Sequence, residues 1–265
     1  DLALLGKSVK FISALGDDPY AKQIKENCNE NGIDIHDSLF KNTNSTSVYL
    51  YVADETGDMQ LAIADMKIYD DMTPEFMETR MGIINHSEAV IVDANIPQET
   101  IEYIVKNAKV KVFAETVSTT KAMKFQDCLK GIYCITPNII EAEALSGVSV
   151  NPNSERSLAR ASNILMKKGA KKVIITRSKD GAYYADRNGK GLIPALENNP
   201  INTTGAGDAL IAGVATAITA GYNLRDSVVF GMACSSETIE SEKTNNPDLT
   251  FEVARKRAGL KRLKD

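Results

Sequence analysis

Asn202-Thr-Thr-Gly-Ala-Gly-Asp208 runs directly into Ala209-Leu-Ile-Ala-Gly-Val-Ala-Thr-Ala-Ile-Thr-Ala-Gly221. Asp208 is the only charged residue between Glu197 and Arg225. The run behind it has helical length and is apolar nearly all round, which predicts a buried helix. A carboxylate at the mouth of such a helix is costly unless something uses it. The Gly-Ala-Gly turn offers free backbone N–H groups and the positive end of a helix dipole, which suits an anion. Together these features point to phosphate chemistry with Asp208 as the base. The alternative is an aspartate that only caps a helix.

Upstream of this stretch the pattern alternates. Residues 89–93, 110–114, 132–136 and 172–176 read as buried strands, and helices are expected from Pro97, near 119–129, at 138–145 and at 154–168. Repeated β-α-β with continuous apolar strands predicts an α/β fold with a mostly parallel sheet and helices on both faces. Residues 182–186 and 191–194 read as an edge hairpin, and 206–220, 224–241 and 250–261 as helices. Near the start, 9–13 reads as a strand and 17–32 as a helix with Pro19 in its first turn. Residues 34–40, 46–53 and 59–64 are strand candidates with no helix between them and a hairpin-type turn at 54–57. They are expected to pair antiparallel. This divides the chain into an α/β core, residues 1–33 and 66–265, and a small β insertion, residues 34–65.

The bulk numbers fit one large soluble domain with a small appendage. The chain has 265 residues, 43% hydrophobic and 25% charged, and a formal net charge of −4. No basic run or aromatic-basic face occurs, so no nucleic-acid polymer is expected as a partner. Cys28, Cys128, Cys134 and Cys234 form no C-x-x-C pair, and His36 and His86 are isolated, which argues against structural zinc. Reduced thiols and the absence of a signal peptide or an apolar run of membrane length predict a cytoplasmic protein without a membrane partner. Asp1-Leu-Ala-Leu-Leu-Gly6 reads as the last turns of a helix ending at a glycine cap, which predicts residues upstream of Asp1 in the natural protein.

In open α/β sheets, ligands bind outside the carboxyl ends of the strands. Asp93, Glu115, Asn138 with Glu141, Thr176 and the 202–208 turn all fall at such ends. No Gly-x-x-x-x-Gly-Lys-Ser/Thr is present, and Leu210 occupies the third glycine position of a dinucleotide fingerprint, so neither motif applies.

Asn202 through Ala215, with Gly205, Ala206, Gly207, Asp208 and the small pair Ala212-Gly213, resembles the second signature of the ribokinase-like, phosphofructokinase-B type carbohydrate kinases. The Gly6-x9-Gly16 spacing is similar to the close of the first signature. The resemblance implies a three-layer α/β/α fold and a kinase that uses ATP and Mg²⁺, with a monovalent cation such as K⁺ as a further candidate. It implies Asp208 as catalytic base and the N–H groups of Gly205, Ala206 and Gly207 as the anion hole, chemistry in which alignment and charge stabilisation dominate. Thr136-Pro-Asn138-Ile-Ile-Glu141 resembles the family's Asn-x-x-Glu motif, which implies Asn138 and Glu141 at the metal and Asn138 beside the nucleotide. A capping box is the alternative or additional reading.

Thr176 resembles the family's nucleotide-side threonine, although Ser178 stands where a glycine is usual; Gly181 follows as expected, and a plain β-turn is the alternative. Thr204 in the turn is a further nucleotide-side candidate. Asp93 matches a position that approaches the sugar, or else forms an Asx turn before Pro97. Glu115 falls where family members often carry an acidic or amide group near the phosphates. Lys121 is a candidate ATP contact or a solvated lysine.

The β insertion resembles the family's substrate lid, with Thr46 a candidate substrate contact and apolar strand faces that imply a homodimer through paired lids. Residues 64–69, 73–76, 115–121 and 244–249 are most similar to the pseudouridine kinase branch of the family. That branch implies phosphorylation of the nucleoside's 5′-hydroxyl. A free-sugar kinase of the ribokinase or fructokinase type and a non-catalytic nucleoside or sugar sensor are the alternatives. Asp65 is a candidate for reading the base, or a surface turn.

Overall fold

A computed structural model of the chain describes residues 1–53 and 59–262, so the turn expected at 54–57 lies outside the described residues. The described chain opens with β1 (Val9–Lys10), β2 (Ala14–Leu15), α1 (Pro19–Glu30), β3 (Ile33–Asp34) and β4 (Leu39–Phe40). Then follow β5 (Val48–Ala53), β6 (Met59–Asp65), α2 (Pro74–Glu78) and α3 (Met81–Asn85). The alternating part comprises β7 (Ala89–Asp93), α4 (Gln98–Asn107), β8 (Lys111–Glu115), α5 (Thr119–Ala122), β9 (Cys134–Ile135), α6 (Ile139–Ser146), α7 (Glu155–Lys167) and β10 (Lys172–Thr176). The chain continues through β11 (Ala182–Asp186), β12 (Lys190–Ile193), α8 (Ala206–Thr219), α9 (Leu224–Ile239) and α10 (Phe251–Arg257).

The main sheet has the order β12-β11-β10-β9-β8-β7. β7 to β10 are parallel, and β11 and β12 add an antiparallel edge. β8, β9 and β10 bury both faces, and the side-chain alternation divides them. Val112, Ala114, Ile135, Val173 and Ile175 pack with Ile101, Ile104, Leu145, Leu158 and Leu165 of α4, α6 and α7. Phe113, Cys134 and Ile174, one position out of phase, pack with Leu210, Val214, Val228 and Met232 of α8 and α9. Two helical layers therefore enclose one sheet, as the continuous apolar strands require.

α8 and α9 approach closely. A Cβ on Gly213 would lie 2.7 Å from the Gly231 Cα, and one on Gly231 would lie 2.6 Å from the Leu210 carbonyl. The small residues of 209–221 thus serve helix packing as well as burial. Every residue from Ala209 to Ile218 is buried.

Two expectations are corrected. Residues 34–40 do not form an antiparallel strand of the insertion. Ile33–Asp34 pairs parallel to β1, and Leu39–Phe40 pairs parallel to β2, so this segment completes a small parallel layer around α1. The antiparallel pair is β5 with β6, in the register Val48↔Asp65, Leu50↔Ile63 and Val52↔Leu61. The helix expected near 119–129 is only one turn, α5, continued by tight 3₁₀ turns at Met123–Phe125 and Leu129–Gly131. Phe125 and Leu129 are buried in the core, and that packing sets the path.

Candidate active site

The carboxyl ends of β7 and β8 meet the start of α8 at a cavity of about 350 Å³, lined by Asp93, Asn95, Glu115, Val117, Thr203, Gly205, Ala206, Gly207 and Asp208. Six of the residues singled out in the sequence therefore line one cavity wall or another: Asp93, Glu115, Gly205, Ala206, Gly207 and Asp208. Gly205 caps α8 at φ +85°, where a side chain is strained, and an added Cβ would lie 2.5 Å from the Thr244 carbonyl. It offers no side-chain cap, so the first-turn amides lack the partner that a Ser, Thr or Asp would supply. The Ala206 N–H makes only a long bond, 3.4 Å, to the Thr203 carbonyl. The turn is held from behind by Thr204 N–H donating to Asn202 Oδ1 at 2.9 Å.

Asp208 stands at the mouth of its helix, in the first turn. The helix behind it is buried, but Asp208 itself is reached by solvent through the cavity. Its carboxyl is nonetheless held above the usual range, first by desolvation among the surrounding walls and then by the Asp93 carboxylate. Glu115 is pushed further, to about 7, chiefly by burial and then by Asp208 and Glu141, against hydrogen bonds that favour its charge. Those bonds come from Val117 N–H at 3.3 Å to Oε1 and the Thr136 hydroxyl at 3.0 Å to Oε2. Val117 adopts φ +63°, rare for a β-branched residue, at the cavity edge.

Asn138 and Glu141 form a full capping box on α6. Glu141 N–H donates to Asn138 Oδ1 at 2.9 Å, and Asn138 N–H donates to Glu141 Oε2 at 2.9 Å. The Thr116 hydroxyl also donates to Oε2, at 2.6 Å. Glu141 is thus buried and tied to the residue after Glu115, one layer behind the cavity wall. No group of three or more His, Cys, Asp or Glu side chains able to hold a metal occurs among the described residues.

The remaining candidates stand apart from this wall. Thr176 ends β10 and bridges to Asn138, with its N–H on the Pro137 carbonyl at 3.0 Å. Gly181 closes the next turn at φ +89°, its carbonyl accepting from Arg177 N–H at 2.8 Å. Both belong to the same sheet edge but not to the cavity lining. Thr46 is buried elsewhere. Its hydroxyl accepts from Gly16 N–H and donates to Asp18 Oδ1, each at 2.9 Å, and its own N–H reaches Asp18 Oδ2 at 2.6 Å. These bonds fasten the base of the hairpin to the first turn of α1.

Asn95 and Val117 were missed from the sequence. The Asp-x-Asn spacing after a strand was a readable signal for Asn95. Nothing in the sequence marked a valine for positive φ.

The pfkB family carbohydrate kinase model matches residues 2–250. The chain belongs to this family. It is similar to the pseudouridine kinase of Escherichia coli strain K12, with 35% identity over 95% of this chain and 80% of that protein. It also resembles the solved carbohydrate kinase from Agrobacterium tumefaciens, with a TM-score of 0.83 and 26% identity, covering 98% of this chain and 83% of that one. The structure of Arabidopsis thaliana ribokinase complexed with ribose and ATP shares the fold, with a TM-score of 0.84 and 19% identity over 98% of this chain and 84% of that one. The ribokinase-like fold and the assignment to carbohydrate kinases follow. Among the described residues, no helix is long and apolar enough to cross a membrane.

Proposed function

We propose that this chain transfers the γ-phosphoryl group of ATP to the 5′-hydroxyl of pseudouridine, with Asp208 as the base. The observation that carries the chemistry is Asp208 in the first turn of α8, beside uncapped amides and across a cavity from Asp93. The identity to a pseudouridine kinase supports the acceptor, and the family and its ATP-bound relative support the donor.

In this reading Asp93 accepts a hydrogen bond from an acceptor hydroxyl and orients it. Asp208 takes the proton of the attacking hydroxyl as that oxygen bonds to the γ-phosphorus. The bond from phosphorus to the β–γ bridging oxygen breaks, and ADP leaves. The raised proton affinity of Asp208 suits it to the task. The N–H groups of Gly205, Ala206 and Gly207 and the positive end of α8 face the charge on the transferring group. Thr176, Gly181 and Thr204 lie on the nucleotide side.

The residues fit Mg²⁺ held largely through water. Glu141 supplies a buried carboxylate whose Oε2 already takes two protein hydrogen bonds, and Asn138 supplies an amide beside it. Mg²⁺ favours this kind of sparse oxygen site, and when bound it neutralises phosphate charge.

The hairpin of β5 and β6 serves as a lid that excludes water during transfer. Its exposed Val48, Leu50, Val52, Leu61 and Ile63 are the surface through which two copies would pair.

The test is a panel of pseudouridine, ribose, fructose, adenosine and uridine with ATP, compared by kcat/KM. Pseudouridine is expected to rank first. Preference for ribose or fructose would replace the acceptor assignment with a free-sugar kinase, and turnover of none would favour a sensor.

A further inference from the structure

The loop that carries Asp93 is held by two lysines from the segment after β8. Lys124 Nζ donates to the carbonyls of Ala94 at 3.0 Å and Ile96 at 2.8 Å, fixing the backbone. Lys121 Nζ donates to Asn95 Oδ1 at 2.5 Å. Asn95 in turn holds both oxygens of Asp93, through its N–H to Oδ1 and its Nδ2 to Oδ2, each at 2.8 Å. Lys121 is half-buried and does not line the cavity, whereas Asn95 and Asp93 do.

We infer that Lys121 is a positioning residue for the acceptor: it fixes the Asn95 amide so that Asp93 presents its carboxylate to the cavity in one orientation. The inference rests on the reading of Asp93 as the acceptor's ligand. An ammonium only donates and a carboxylate only accepts. An amide between them therefore has one satisfied orientation, with Oδ1 toward Lys121 and Nδ2 toward Asp93. Without the ammonium that preference rests on Asp93 alone, and the amide gains freedom to rotate away. A substrate hydroxyl then meets a carboxylate whose direction is no longer set, and geometric tolerance at such sites is small. The arrangement adds a third reading of Lys121 to the two the sequence offered, a solvated side chain or an ATP contact.

The experiment uses the full chain and the acceptor with the highest kcat/KM in the panel above. Lys121→Met is expected to raise the acceptor KM, and its calorimetric Kd without nucleotide, by about tenfold, the scale of one charge-assisted hydrogen bond. The KM for ATP should stay within about twofold, since no ATP contact is lost. Asn95→Ala should match it, and the double variant should be no worse than Asn95→Ala alone, because both act through one path. Lys121→Arg, which keeps the donor, should restore most of the affinity.

A rise confined to the ATP KM, or additive losses in the double variant, would overturn the inference. Asp93→Asn separates the two levels. If it leaves acceptor affinity unchanged, the reading of Asp93 has failed. If it weakens binding while Lys121→Met does not, only the positioning role has failed.

Discussion

The cavity at the start of α8 and the hairpin of β5 and β6 are built on opposite principles. The cavity's charged groups sit on the packed frame: β8 inside the main sheet, β7 at its edge, and α8, which is buried from Ala209 to Ile218. The hairpin has Leu50 paired with Ile63 and Val52 with Leu61, all four exposed. The anchors at its base include the Thr46–Asp18–Gly16 bonds and a Ser47 hydroxyl donating to the Tyr69 hydroxyl at 3.0 Å. Groups that must hold atomic geometry are placed on the packed frame. A surface that must cover something is left on two strands with apolar side chains outward.

If this contrast is right, the largest effect belongs to the frame. Asp208→Asn removes the base while preserving volume, and kcat is expected to fall by roughly 10³-fold or more, with the dissociation constant for ATP changed less than about threefold. Steady-state kinetics with a nucleotide titration checks both. Near-normal turnover would remove Asp208 from the chemistry.

Glu115 tests how strongly the cavity penalises charge. Its folded carboxyl titrates at about 7 against an ordinary 4.5. Because the folded value is raised, its contribution to stability is fully present below about pH 4.5 and lost as pH rises through about 7. Glu115→Gln should therefore stabilise the ligand-free protein at pH 8 by on the order of 2 kcal/mol, with the gain vanishing towards pH 4.5. Denaturant melts at several pH values read this out. A pH-independent difference would contradict the account of a desolvated carboxylate.

The smallest effect on folding belongs to the hairpin. Leu50→Glu with Ile63→Lys should change unfolding free energy by less than about 0.5 kcal/mol, as at exposed positions generally. It should convert a dimer to a monomer in sedimentation experiments. A wild-type monomer would refute pairing through this face, and a large stability loss would show that the hairpin packs against its own chain.

The same contrast explains what the sequence made readable. The sheet and its two helical layers were legible because strands such as Lys172–Thr176 are buried on both faces and carry continuous apolar runs. The turn before Asp208 was legible because a lone charge beside glycines ahead of an apolar helix has few structural uses. The Ile33–Phe40 segment misled, because a short run of strand-like residues does not say which partner it pairs with. Its parallel pairing with β1 and β2 depends on the α1 crossover. The bond from Thr46 to Asp18 was equally hard to read, since it arises from a contact 28 residues away in sequence. The Lys121–Asn95–Asp93 chain joins α5 to the end of β7, segments that meet only in the fold, so no local pattern announces it.

The central claim is that the cavity moves a phosphoryl group to an acceptor hydroxyl rather than to water. Phosphorus NMR of the wild-type protein with ATP, Mg²⁺ and pseudouridine tests it most directly. The account expects a 5′-phosphomonoester to appear in step with ADP, with little inorganic phosphate. Accumulation of inorganic phosphate without the ester, or no consumption of ATP with any acceptor of the panel, would contradict it.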